Sequence, residues 1–521
     1  MALNRRQFLR NTAVGAPVST WATSAFSLQA GAADAQLKVG FAERDITPDI
    51  GMEQPGGYGK AYLRKFHDAC KVRVVVFDDG RKRAVLVGVD ALMVPRGLVL
   101  AARKQIQQHC GIAPDAVLIG ASHSHSSGPT GMIQPGEYDS ASPLVRKLAY
   151  EQSSCADAGY LERVQAEIVT AVCHANSLRA DARCGFGSGR EDKVAYNRRF
   201  RMKNGLTYTH PGQGNPDVLG YAGPTDPEVG VIGSWDKSGR LQGCVVNYAC
   251  HATTSPDGIS ANWIYYLEKT IRGALGNDVI VVFLQGASGD ITQVDNLSPY
   301  QYPAGEDWAR LVGGRVGAEA IKTLLTMHPG SFSPVDAAST VLQIKRRVPS
   351  PERVRACAEV VQKKPEQAGN TRWTFAKEIV LLDATLAKYP LAEAEVQAIQ
   401  VGPAVFLSNP AELFCEFGLD LKSHSPFKFT WPVELANGTV GYVPTEEALS
   451  SHGGGYETRL TSYSNLEPTA GRQMVEAALE LARRMKPGRL PEPPQAPSFK
   501  SGEDGIGSGA WSYGNVPPEL S

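Results

Sequence analysis

The stretch "DAVLIGASHSHSSGP", Asp115 to Pro129, carries a short apolar run, Val117 to Ile119, that ends in small and hydroxyl-bearing residues. Two of the chain's ten histidines, His123 and His125, follow one residue apart. An apolar run of this length, bounded by turn-forming residues, reads as a buried strand. Three further strand candidates end the same way. "GCVVNYAC" runs into His251, "DVIVVFLQ" runs into "GASGDIT", and "PAVFLSN" runs into "PAE", where Glu412 reads as opening a helix. In open α/β sheets ligands sit beyond the carboxyl ends of strands, because the loops there are free to carry polar groups while the strands stay buried. Four chemically loaded strand ends therefore predict one shared site.

Around these strands the sequence alternates strand-length apolar runs with longer helical patterns. Helices are predicted in "PRGLVLAARKQIQQHC", "AGYLERVQAEIVTAVCHANSL", "ANWIYYLEKTIRGALG", "EDWARLVGGRVGAEAIKTLLTM" and "AGRQMVEAALELARRM", each with apolar residues recurring at three or four. Between about Val341 and Leu407 the pattern becomes a strand, two charged helices and a hairpin, an antiparallel addition. The fold class is thus α/β, a mixed β-sheet core flanked by helices, with a metal site at strand carboxyl ends. No internal repeat is visible in the sequence.

The chain has 521 residues, 42% of them hydrophobic, enough to bury a large core. Lys plus Arg equals Asp plus Glu at 53 each, so no basic surplus argues for nucleic acid or for anionic lipid. No apolar run downstream of the N-terminal segment reaches the roughly 20 residues that span a bilayer. A neutral small molecule or lipid fits this balance better. Residues 1–35 pair Arg5 and Arg6 with Phe8 and Leu9, then a weakly apolar Ala/Ser/Thr stretch ending near "AGAADA". That pattern is a twin-arginine export signal, and it predicts a periplasmic or secreted bacterial protein. Residues 36–487 form the expected catalytic domain and 488–521 a Pro/Gly/Ser-rich tail. The nine cysteines are scattered without CxxC spacing, which excludes a zinc knuckle and leaves room for one or two disulfides in an oxidising compartment.

Imidazole and carboxylate at a common rim are the ligand types of a catalytic zinc, which takes N/O donors and keeps one position for water. His123 and His125 are too close to chelate easily from a regular strand, so one is expected to bind metal while the other serves beside it. "GASGD" around Ser288 lacks the GxSxG form of a nucleophile elbow. "GGYG" at Gly56–Gly59 and "GGG" at Gly453–Gly455 lack the strand and helix of a nucleotide cradle and read as loops.

The order "VGFAERDITPDIG", "GASHSHSSGP", "NYACHATTSP", "FLQGASGDIT", "NPAELFCEFG" and "NGTVGYVPT" resembles the neutral/alkaline, non-lysosomal ceramidase family over roughly Val39 to Arg484. The resemblance implies one Zn2+ per chain, held by His123, His251, Glu412 and Tyr442. It implies catalytic roles for His125, Arg198, which follows Asn197, and Tyr442. The chain departs from the family at "GDITQVD", where Thr292 stands in place of a serine implicated in catalysis; a threonine keeps the hydroxyl, so a positioning or relay role survives better than a nucleophilic one. Tyr456 and Glu457 stand where the family has a longer Tyr-Glu segment, and its C-terminal immunoglobulin-like domain has no counterpart here.

The implied chemistry is hydrolysis of an N-acyl bond in a ceramide-like lipid by metal-activated water, with His125 exchanging protons and Arg198 or Tyr442 stabilising the oxyanion. Asp290 is expected to steady its loop or orient a ligand histidine. His67 and Asp90, also near strand ends, read as structural. Two other functions stay open at this point: a zinc hydrolase of another amide or an ester, and a metal-containing binding protein without turnover. Composition and motifs are silent on oligomeric state.

Overall fold

A computed structural model of the chain describes residues 37–496. The expected export signal, residues 1–35, lies outside the described residues, as does 497–521 of the tail. The tail's opening residues, 488–496, form no helix or strand, yet Leu490 packs on a core cluster.

Eight strands form one mixed sheet, built from two copies of the same unit. In the first, Lys38–Asp45, Lys71–Asp78 and Arg83–Val89 run antiparallel; helix Arg96–Cys110 then crosses over to a parallel strand, Val117–Ala121. In the second, Ala180–Arg190, Glu228–Asp236 and Leu241–Tyr248 run antiparallel, and helix Trp263–Leu275 crosses over to parallel Ile280–Gln285. The repeat that the sequence hides is therefore present in the topology. Only the tripeptide Gly-Ala-Ser survives at comparable places, 120–122 and 286–288, at the exits of the two last strands.

The units join at a narrow seam, Lys38 opposite Asp181 and Val39 opposite Ala180, so the sheet folds back on itself. Close stacking follows: a Cβ on Gly88 would lie 2.4 Å from the Phe283 carbonyl oxygen, which only a glycine tolerates. The strand sequences are apolar on both faces because both are covered. Val72, Val74, Val85, Val87, Val117 and Ile119 face helices Arg96–Cys110 and Ala158–Ser177. Their alternates, Val75, Phe77, Leu86 and Leu118, meet Val245, Val282 and Leu284 of the other unit. Helices Trp263–Leu275 and Gly305–Leu325 cover the second unit's outer face. Side-chain caps start two of these helices, Asp157 accepting from Tyr160 N and Asn262 from Trp263 N.

A second, four-stranded sheet orders Val335–Lys345, Leu391–Val401, Ala404–Ser408 and Phe429–Val433. The first three run antiparallel, as expected, and the last adds parallel. Phe406 and Trp431 complete the inner core, and helix Ala470–Arg483 covers the other face. Helices Pro351–Val360 and Asn370–Leu386 are inserted between its first two strands and make their own cluster around Trp373 and Leu381. Glu412 corrects one expectation: it opens no helix. It sits inside the short strand Ala411–Leu413, paired in parallel with Gly441–Val443 so that Glu412 faces Tyr442 in the register, and the helix begins at Cys415. All nine cysteines are free thiols; Cys110 and Cys173 bring their sulfurs within 2.8 Å. Among the described residues no helix is long and apolar enough to cross a membrane.

Candidate active site

His123 lies just past Val117–Ala121, and His251 just past Leu241–Tyr248, so each of the two units delivers one imidazole from a strand exit. The two exits are zipped together. Ser124 pairs with Ala252 in a parallel bridge, and His125 N donates to the Ala252 carbonyl at 3.2 Å. His123 takes a left-handed backbone, φ 61°, a conformation that costs a non-glycine residue and that this zipped turn imposes.

The ring nitrogens are placed from behind. His123 Nδ1 lies 2.9 Å from the Leu92 carbonyl oxygen and His251 Nδ1 lies 2.8 Å from that of Ser288. A carbonyl can only accept, so Nδ1 carries the hydrogen and Nε2 is left as a lone-pair donor turned inward. His123 Nε2 lies 3.3 Å and His251 Nε2 3.4 Å from the same atom, Glu412 Oε2. His125 Nε2 approaches His123 Nε2 at 3.3 Å. One nitrogen from each of His123, His125 and His251 falls within 4.8 Å of the others, so the structure adds His125 to the convergent set.

The electrostatics match a cation. Burial, then Arg198 and His123, pull His251 down to about 3, and burial with the two neighbouring imidazoles holds His125 well below the ordinary histidine value. Burial opposes ionisation of Glu412, but His123 and His251 outweigh it and keep the carboxyl well below the usual range. Burial likewise opposes charge on His123, and Glu412 outweighs it, raising His123 above the ordinary histidine value. His251 Nε2 and Glu412 Oε2 are buried without hydrogen-bond partners. Orphaned buried acceptors are costly, and a divalent ion satisfies them all at once. Imidazoles steadied by carbonyls beside one carboxylate fit zinc.

Tyr442 shares a cavity wall with His123, His125 and Glu412. Its hydroxyl lies 3.2 Å from Arg198 Nη2 and 3.1 Å from the Tyr456 hydroxyl, and burial followed by the Glu412 charge pushes the phenol far up, so it stays an O–H donor. Arg198 is buried behind it, bound through Nε to Glu457 Oε1 at 2.7 Å and through Nη2 to the Gly289 carbonyl at 2.7 Å. Thr292 is buried, its hydroxyl donating to Gln293 Oε1 at 3.3 Å, and the residue before it, Ile291, accepts from His251 N at 3.3 Å. Asp290 steadies its loop rather than a histidine, accepting from Cys415 N at 2.8 Å and Asn197 Nδ2 at 2.7 Å. Ser288 is no elbow: its hydroxyl is held between Gln285 and Glu434. Asp90 is tied up by Arg73 at 2.7 Å, and His67 by Asp68 at 2.7 Å.

A cavity of about 330 Å³ opens on this centre, walled by Tyr58, Met93, Met132, Phe375 and Tyr463 beside the ligand candidates. Sequence reasoning missed these walls. The one local signal was "GGYG": Gly56, at φ 93°, presses so closely on His125 that a Cβ would lie 2.4 Å from Nδ1. Gln54 Nε2 bonds the His125 carbonyl at 2.9 Å, which makes this loop the roof of the site.

No family model matches the chain. Among curated proteins it is 23% identical over 312 residues to the neutral ceramidase of Pseudomonas aeruginosa, a match covering 57% of this chain and 43% of that protein. The chain thus spans less than half the length of that relative. Among solved structures, the neutral ceramidase from Pseudomonas aeruginosa superposes with a TM-score of 0.65 at 18% identity, over 88% of this chain and 77% of that one. A structure titled as ceramidase complexed with C2 gives 0.63 at 18%, over 89% and 78%. In fold the chain is like the neutral ceramidases of known structure, and over 312 residues its sequence is similar to one neutral ceramidase.

Proposed function

We propose that the chain is a zinc-dependent amidohydrolase that cleaves the N-acyl bond of a ceramide-like lipid, one bearing a long acyl chain on an amide nitrogen. The observation that carries this reading is the convergence of His123, His251 and Glu412, with His125 alongside, at the floor of an aromatic and Met-lined cavity. His123, His251 and Glu412 would hold the ion, and Tyr442 lines the same cavity beside Glu412. Zinc held there would supply a Lewis acid that polarises the scissile carbonyl and eases loss of a proton from water near neutral pH.

The remaining work falls to the chain's own groups. The apolar walls take the acyl chain and exclude water. His125 has its Nε2 at the floor of the cavity and, kept neutral there, takes a proton from water and returns it to the leaving nitrogen. The Tyr442 hydroxyl, backed by the Arg198 guanidinium, donates to the carbonyl oxygen as negative charge grows on it. Arg198 in turn is fixed by Glu457, so its charge stays aimed when the substrate arrives. The N-terminal segment supports a site of action in the periplasm or outside the cell.

Release of fatty acid from a fluorescent N-acyl-sphingosine or N-acyl amide tests the reading. Turnover should vanish with a chelator and return with zinc, while fractionation finds the protein outside the cytoplasm. A metal-loaded protein that cleaves no amide, or cleaves only esters, sinks it.

A further inference from the structure

His123, His251 and Glu412 come from three separate segments, and a fourth, "ELAN" at Glu434–Asn437, stitches their supports together. Leu435 N donates to the Ala411 carbonyl at 3.0 Å, beside Glu412, and the Leu435 carbonyl accepts from Ala121 N at 3.1 Å, two residues before His123. Asn437 pairs with Ile119 twice, its N donating to the Ile119 carbonyl at 2.8 Å and its Oδ1 accepting from Ile119 N at 3.0 Å. On the side of His251, Glu434 N donates to the Gln285 carbonyl at 3.1 Å. Leu435 and Asn437 take left-handed backbones, φ 50° and 62°, which non-glycine residues keep only where the surroundings enforce them.

Within that turn the Glu434 side chain is fully buried, and it does not line the cavity that opens on the histidines. Its two oxygens reach opposite neighbours. Oε1 bonds the Ser288 hydroxyl, which also accepts from Gln285 Nε2 at 2.7 Å, and Oε2 accepts from Leu413 N at 2.8 Å. Each neighbour stands one step from a ligand candidate: the Ser288 carbonyl holds His251 Nδ1 at 2.8 Å, and Leu413 follows Glu412. Burial pushes the Glu434 carboxyl up to about 8, so near neutral pH it acts as a hydrogen-bonding group more than as a charge. An apolar side chain here would avoid the cost of burying a carboxyl, but it would leave the Leu413 N–H without its acceptor.

We propose that Glu434 is a positioning residue for the metal centre: by clamping Ser288 to Leu413 from behind, it holds His251 and Glu412 at the separation that one divalent ion requires. Such an ion tolerates errors of only about 0.2 Å in its ligand distances, and groups that orient the ligands set affinity nearly as strongly as the ligands do. Glu434 spans the two supports directly, so a small shift on either side is passed to the other through one side chain. The assignment rests on the metal-dependent hydrolase reading above, and adds to it what keeps the ligands in register.

The test measures zinc affinity of the full-length protein by competition against a chelating dye, with thermal unfolding alongside. Glu434→Ala should weaken zinc binding about 10- to 100-fold, the range usual for groups that orient metal ligands. Glu434→Gln keeps the length, an oxygen for Leu413 N and an amide for Ser288 Oγ, and should restore affinity to within about threefold of wild type. Arg73→Met, which disrupts a buried polar cluster away from the site, should lose stability yet keep its zinc affinity. A Glu434→Ala protein that is less stable but binds zinc as tightly as wild type overturns the assignment, as does an equal loss in Glu434→Gln. If Glu434→Ala does not fold, Ser288→Ala, which removes only the hydroxyl, takes its place: a loss of several fold upholds the clamp and none overturns it. Zinc binding without amide cleavage defeats the hydrolase reading, while these affinities still judge the clamp. If the wild type binds no zinc, spectra of nitrogen-labelled histidine in the metal-free protein decide instead. Loss of the Nδ1–H tautomer of His251 in Glu434→Ala, with its retention in Glu434→Gln, then upholds the clamp, and an unchanged tautomer overturns it.

Discussion

The two copies of the four-stranded unit use one scaffold in opposite ways. In the first, the histidine stands at the exit of the fourth strand, and its Nδ1 is held by Leu92, which follows the third. In the second, the histidine stands at the exit of the third strand, and its Nδ1 is held by Ser288, which follows the fourth. Each unit thus spends one strand exit on a ligand candidate and the neighbouring exit on the carbonyl that orients it. At the first unit's third-strand exit, where the second unit carries His251, stands Asp90. It is buried too, yet fully engaged, with Arg73 at 2.7 Å and Lys71 N at 2.8 Å. One site sets its carboxylates on Arg73, leaving only the guanidinium Nε without a partner, and is structural; the other leaves an imidazole Nε2 of His251 and the carboxylate Oε2 of Glu412 without partners, facing one another. Buried charge that is not internally satisfied marks where a ligand belongs.

If the two units contribute equally to the centre, His123→Ala and His251→Ala should weaken zinc binding alike, by more than about 100-fold, with activity falling at least as far. Competition against a chelating dye measures this, and a variant that keeps its metal breaks the symmetry. The contrasting cluster should respond in stability instead. Arg73→Met strands the Asp90 and Glu268 carboxylates and should cost about 3–5 kcal/mol in denaturant unfolding.

The same cluster carries a pH signature. Burial disfavours charge on Glu268, but Arg73, Lys71 and Arg272 outweigh it and hold the group down to about 2. The unfolded chain therefore takes up this proton at higher pH than the folded one. Its contribution, about 2–3 kcal/mol, is complete above pH 4.5 and is lost as pH falls toward 2. The stability difference between wild type and Glu268→Gln should shrink over that interval, and a constant difference would count against the pairing. The smallest effect is expected at Gly56→Ala, where a methyl pushed against His125 should lower kcat about tenfold while leaving zinc content intact. Loss of metal there would show that His125 is a ligand and no mere neighbour.

Much of this was legible before any coordinates. Each of the five predicted helices formed within a residue or two of its pattern, because long amphipathic periodicity reports burial directly. The loaded strand exits were visible because a polar cluster behind an apolar run has few structural uses. Local pattern failed where the answer lay across the chain. Glu412 belongs to a three-residue strand that exists only because Gly441–Val443 lies beside it. The glycines at 56–59 read as an ordinary loop, since nothing local says that a histidine nearly 70 positions on will press against one of them. The twofold repeat was invisible because hydrogen-bond topology survives sequence change that erases identity.

By itself the sequence determined the α/β class, the helices, the strand exits that bear imidazoles and the resemblance that joins six separated motifs. These are properties of short windows or of their order, and short-range sterics and hydrophobic periodicity specify them. Tertiary structure alone decided that the sheet doubles over to bring His123 to His251, which nitrogen of each ring faces inward, and that two adjoining cavities share Met93, Met132, Glu412 and Tyr463. Those features depend on contacts between segments 100 to 300 residues apart, such as His123 with Glu412 and Gly88 against Phe283, which no local window contains.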